Sequence, residues 1–111
     1  MRQFIDKLMH HYATVTNGES ALFRDNLLQT CEVHEVTEPT FCDAFAKAVA
    51  EGFASGGIDA DRASFAMDDL HEASDYALEG FALVVFDALE YRESRPADIR
   101  HLLDQAAAHA A

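Results

Sequence analysis

The sequence predicts an all-α protein, a compact helical bundle of four to five helices around one long central helix that is either continuous or kinked. Three observations carry this expectation. Apolar residues recur at helical spacing in each segment between turn signals. Alanine is abundant, and only Pro39 and Pro96 interrupt the chain. The third is the stretch Phe65 to Tyr91, where Ala66, Leu70, Ala73, Ala77, Phe81, Val84 and Ala88 share one helical side and Asp68, Glu72, Asp75 and Glu79 the other.

The first half of that stretch reads as an amphipathic helix with an acidic outer face. After Gly80 the contrast disappears. Gly80-Phe81-Ala82-Leu83-Val84-Val85-Phe86 is apolar on every side, and a helix of that kind is expected to be buried all round, inside a bundle or at a subunit interface. A buried strand is the alternative for so short a run. A membrane span is not expected, because the run is bounded by Glu79 and Asp87 and a span needs ~20 residues.

The chain has 111 residues, half of them hydrophobic, enough for one domain with one core and no need of metals or disulfides. Its formal charge is −12, unevenly spread: from Glu51 to Glu90 ten carboxylates face Arg62 alone, while Arg2, Lys7, Arg92, Arg95 and Arg100 lie towards the ends. Such a segment repels nucleic acid and anionic membrane. Met1 to Tyr12 alternates charged with apolar residues and does not read as a signal peptide. Cys31 and Cys42 are then expected to be reduced packing residues in a soluble, cytoplasmic protein.

Taken in order, the first helix carries Phe4, Ile5, Leu8, Met9, Tyr12 and Val15 inward and ends at Thr16-Asn17-Gly18. A second helix, from Glu19 or Ser20, turns Leu22, Phe23, Leu27, Cys31 and His34 inward and has a soft end before Thr37. The next is capped by Thr37 with Pro39 in its first turn, or by Thr40 with Asp43 reaching back, and repeats Phe41, Phe45, Val49 and Phe53 every four residues until Gly56-Gly57. Asp59 or Asp61 caps the central helix, which either runs on to Arg92 or breaks near Ala73-Ser74-Asp75. Ser94 and Pro96 begin the last helix, which buries Ile99, Leu102, Leu103 and Ala106 and frays from Ala107.

Residues competent for chemistry are present but incomplete as motifs. Asp68, His71 and Asp75 share a helix face, yet no Glu-x-x-His occurs and a dimetal site needs two. Cys31-x-x-His34 with Cys42 resembles half a zinc site without its second half. Asp59-x-Asp61 opens like a calcium loop and then lacks its glycine and its closing Glu. No nucleophile elbow or phosphate-binding loop is present, and Glu32 and Glu35 would raise a nearby thiol's pKa rather than activate it. Neither an enzyme nor a resident metal or cofactor is therefore expected.

Two short strings, Ala54-Ser-Gly-Gly-Ile-Asp59 and Asp68-Asp-Leu-His-Glu-Ala73, look similar to pieces of a DNA-imitating phage antirestriction protein, in the opposite order; acidic helices produce such strings readily. No family resemblance covers the chain. In gross character it is similar to small acidic helical inhibitors such as bacteriocin immunity proteins, whose signature residues it lacks, a likeness of surface alone.

The expectation is a small protein-binding module, an inhibitor or regulator, in which Asp68, Asp69, Glu72, Asp75 and Glu79 face a basic surface of a partner protein, in the manner of nucleic-acid mimicry, with Tyr76 or Phe65 as apolar anchor. The alternatives are a ligand- or metal-binding bundle using Asp68, His71 and Asp75 or Cys31, His34 and Cys42, and a homodimer built on Phe81 to Leu89.

Overall fold

The computed structural model describes residues 1–14 and 18–110, and among them are six helices and no strand: α1 (Arg2–Thr14), α2 (Arg24–His34), α3 (Glu38–Ser55), α4 (Ala60–Ala73), α5 (Gly80–Glu90) and α6 (Pro96–Ala110). The all-α class holds, with more helices than the four to five expected. The extra one comes from the stretch 65–91, which is two helices separated by Ser74 to Glu79. Val15, Thr16 and Asn17, read as the end of the first helix and its turn, lie outside the described residues, as does Ala111.

The centre of the bundle is α3, not the 65–91 stretch. It packs against α1, α2, α4, α5 and α6. The four-residue stripe Phe41, Phe45, Val49 and Phe53 is buried along one side, and Cys42, Ala46 and Ala50 form a second buried line beside it. The small residues of the second line let neighbouring helices approach closely while the phenylalanines fill the space between them. Each fully buried Phe or Val side chain contributes on the order of 1.5–3 kcal/mol of transfer free energy.

Capping chemistry sets the helix ends. Thr37 accepts the Thr40 amide at 3.3 Å and Asp59 accepts the Arg62 amide at 2.8 Å, each the first of the two caps read from sequence. Asp43 does not reach back to Thr40; it leaves α3 to accept the Ala82 amide at 3.2 Å, so one helix satisfies an open donor in the first turn of another, α5. Asp98 accepts the Arg95 amide at 2.9 Å to start α6, which continues through Ala110 where fraying was expected from Ala107. At the end of α3, Gly56 has φ 84°, and the Gly57 amide reaches back to the Gly52 carbonyl at 2.8 Å.

One expectation about burial fails, and another is met in part within the single chain. Phe23 is 56% exposed because α2 begins at Arg24 rather than near Ser20, which leaves Phe23 as the residue before the helix; His34 in the last turn is also outside, whereas Leu27 and Cys31 face inward as expected. In α5, Ala82, Val85, Phe86 and Ala88 are buried, whereas Leu83 is 38% and Val84 50% exposed. α5 packs on α3 and α4 along one side and meets α6 at its margin, so its outer stripe stays open.

Candidate functional site

The site begins with α4, whose 14 residues span about 20 Å. Ala63, Ala66, Met67, Leu70 and Ala73 form its buried stripe. That stripe determines what each acidic neighbour meets. Asp68 and Glu72 are exposed on the helix, and Asp75 and Glu79 are exposed in the segment that follows. Asp69 is 6% exposed and faces inward, so the expected surface loses one of its five members.

The Asp69 carboxylate lies in a built cradle. The Tyr12 hydroxyl donates to Oδ2 at 2.5 Å, the Ser20 hydroxyl to Oδ1 at 2.8 Å and the Ala21 amide to Oδ2 at 3.3 Å. The Tyr12 oxygen in turn accepts the Leu22 amide at 3.2 Å. Burial first, then the hydrogen bond to Asp69 and its charge, raises the Tyr12 pKa well above the ordinary phenol value. An anion is tolerated there because three donors converge on it. Residues 20–22 are consequently tied to α4 instead of extending α2 backwards.

Asp68, one position earlier, is drawn towards the end of α5. Ser64 donates a hydrogen bond to Glu90, and Asp68 shares that small cluster. Partial burial, then a hydrogen bond with Glu90, then the charges of Glu90 and Asp69, push the Asp68 carboxyl up to about 7. Near neutral pH it is therefore a weaker anion than its exposure suggests. Glu72, Asp75 and Glu79 carry the field at this end of the molecule.

Glu72 and Asp75 sit at the C-terminal end of α4, where the helix dipole is already negative, and Glu79 precedes α5 at that helix's positive end. Among the described residues the ion pairs are Arg24–Glu38 and Arg62–Asp59, so no Lys or Arg pairs with Glu72, Asp75 or Glu79. Arg24 does reach this helix end, donating to the Ala73 carbonyl at 3.1 Å, while the same nitrogen donates to Glu38 at 2.5 Å.

The backbone leaves α4 through a tight reversal. The Asp75 amide bonds to the Glu72 carbonyl at 3.0 Å and the Tyr76 amide to the His71 carbonyl at 2.9 Å, a Schellman arrangement. Asp75 and Tyr76 both have φ 60°, a left-handed conformation that costs an L-residue with a side chain on the order of 1–2 kcal/mol. This strained pair leaves Tyr76 65% exposed. Its ring still meets the His71 ring edge-on at 5.0 Å, and His71 stacks on Phe86 at 4.5 Å. His71 Nδ1 is buried without a hydrogen-bond partner.

Of the two anchors read from sequence, Tyr76 is accessible and Phe65 is half-buried against Tyr12. Phe23 is the exposed aromatic that sequence reasoning missed. Its only sequence signal is Asn26, whose side chain accepts the Phe23 amide at 2.7 Å and so marks Phe23 as the residue before the helix.

The candidate metal ligands do not converge: no group of three His, Cys, Asp or Glu side chains suited to a metal occurs among the described residues. Cys31 and Cys42 are free and buried. The Cys31 sulfur faces the Thr37 carbonyl at 3.9 Å, and His34 lies out beside the Met1 amino group. Burial, followed by the charge of Glu38, raises both thiols, Cys42 to about 12. Both thiols are therefore protonated at neutral pH.

Two adjacent carboxylates should thus respond oppositely to substitution. Asp69→Ala leaves the Tyr12 and Ser20 hydroxyls and the Ala21 amide unpartnered and is expected to cost about 3 kcal/mol or more, with Tyr12→Phe costing about 1–3 kcal/mol, measured by urea unfolding. Asp68→Asn is expected to stabilise at high pH. Because the folded-state pKa of Asp68 is raised, its contribution is fully present below the unfolded value near 4 and lost as pH rises through about 7. Thermal midpoints of wild type and Asp68→Asn should accordingly separate between those pH values, with the variant gaining, and run parallel above them.

Comparison of the chain with protein-family models, curated proteins and solved structures found no match.

Proposed function

We propose that this is a small acidic protein-binding module that engages a basic surface of a partner protein and thereby inhibits or regulates it, acting by occupancy and not by catalysis. The observation that carries the reading is the placement of Glu72, Asp75 and Glu79. Glu72 and Asp75 are exposed at the C-terminus of α4, where negative charge costs stability, Glu79 is exposed just before α5, and no Lys or Arg among the described residues pairs with any of the three. A cationic partner would relieve that cost. The exposed Asp59 and Asp61 at the other end of α4 extend the acidic character along the helix, which suits a partner surface that otherwise takes a polyanion.

The membrane is not the natural partner of such a surface, and no helix among the described residues is long and apolar enough to cross one. We place the protein in the cytoplasm, in keeping with two free, buried thiols. A second reading, self-association through α5, has the exposure of Leu83 and Val84 in its favour. A concentration-independent monomer in analytical ultracentrifugation would dispose of it.

The charge-reversed variant Glu72→Lys, Asp75→Lys, Glu79→Lys should keep its helicity, gain on the order of 0.3–1 kcal/mol at each of positions 72 and 75 at the end of α4 and lose a similar amount at position 79 before α5, and lose the basic protein that wild type retains from host lysate at low salt. Retention of the same protein by the variant would eliminate the acidic-surface reading.

A further inference from the structure

We propose that the groove between residues 20–24 and the C-terminal end of α4 is a seat for an arginine side chain projecting from the partner's basic surface, an inference that rests on the function proposed above. The groove has a volume of about 490 Å³, and its lining includes Phe23, Arg24, Asp69, Glu72, Asp75 and Tyr76. Phe23 and Tyr76 are 56% and 65% exposed, so the groove combines two accessible aromatic rings with two accessible carboxylates.

Guanidinium matches that combination better than other side chains. It is planar and weakly hydrated, stacks on aromatic rings, and donates two parallel hydrogen bonds to a carboxylate. An ammonium is more strongly hydrated and lacks the flat face. A purely apolar side chain would desolvate Glu72 and Asp75 without compensation.

The groove's own charges leave this role open. Arg24 is bound by Glu38 and the Ala73 carbonyl. Asp69 is occupied by Tyr12, Ser20 and Ala21, which leaves Glu72 and Asp75 as the free anions. Both aromatics stand on a fixed backbone, and one ring has a fixed neighbour. The Phe23 amide is fixed by Asn26, and Tyr76 is fixed by the turn after α4 and its edge contact with His71. A seat formed in advance loses little conformational entropy on binding.

The test is a ¹⁵N–¹H NMR titration of the full chain with three capped tripeptides, acetyl-Gly-X-Gly-amide, where X is arginine, lysine or citrulline, the last being arginine's uncharged near-isostere. At about 0.15 M salt, where long-range attraction is screened, arginine should give saturable shifts centred on Phe23, Glu72, Asp75 and Tyr76. Binding should be about five-fold weaker for lysine and undetectable for citrulline. Tyr76→Gly, which suits the left-handed backbone at that position, and Phe23→Ala should each weaken arginine binding about five-fold.

Equal shifts from arginine and citrulline would overturn the seat, and so would arginine and lysine shifts of equal size that survive Tyr76→Gly. The partner capture separates the two levels. Capture that is lost on charge reversal but unchanged in Phe23→Ala and Tyr76→Gly overturns the arginine seat alone, whereas capture indifferent to charge reversal overturns both.

Discussion

The buried carboxylate of Asp69 organises the acidic half of this protein. An ionised group at 6% exposure is strongly unfavourable unless its oxygens are satisfied, and here the donors come from α1 and from residues 20 and 21. Satisfying it brings three separated parts of the chain to one point. Tyr12 is thereby set edge-on to Phe45, 6.1 Å between ring centroids, which joins the polar cradle to the aromatic core around α3. Residues 20–22 are committed to α4, so α2 begins only at Arg24 and Phe23 is left outside. The groove beside Tyr76 follows from that arrangement.

Asp68 and Asp69 show how little a formal charge says about a surface. A step of one residue turns a helix by about 100°. It carries the first carboxyl to the Ser64–Glu90 cluster and the second into the core. Counted in the sequence, both are anions on an acidic helix; in the structure one is raised towards neutrality and the other is enclosed. The carboxylates that stay exposed lie at the end of α4 and beyond it, and for Glu72 and Asp75 the backbone dipole adds to their potential.

The same helix end concentrates strain. Asp75 and Tyr76 occupy a conformation usually left to glycine, whereas the corresponding reversal after α3 does use glycine, at Gly56. The cost is tolerated because the Schellman bonds, the Arg24 contact with the Ala73 carbonyl and the His71–Phe86 stack determine the local path from several sides. The exposed Tyr76 therefore stands on a constrained backbone, with its ring in edge contact with His71.

The sequence by itself determined the helical class, the inward residues Phe4 to Tyr12 of α1, the Phe41–Phe53 stripe and the place where α3 stops, and it narrowed the caps of α3 and α4 to two candidates each, of which Thr37 and Asp59 are used. Each follows from spacing and local hydrogen bonding within a few residues. Only the tertiary structure decided that α3 lies at the centre, that the 65–91 stretch is broken by a strained turn, that α5 keeps an open apolar stripe, and that Asp69 is a structural residue. Those outcomes depend on partners 39 to 57 positions away, such as Asp43 for the Ala82 amide and Tyr12 for Asp69, which no local window contains. Acidic composition was therefore legible from the residues alone; which carboxylates stay exposed was settled by packing.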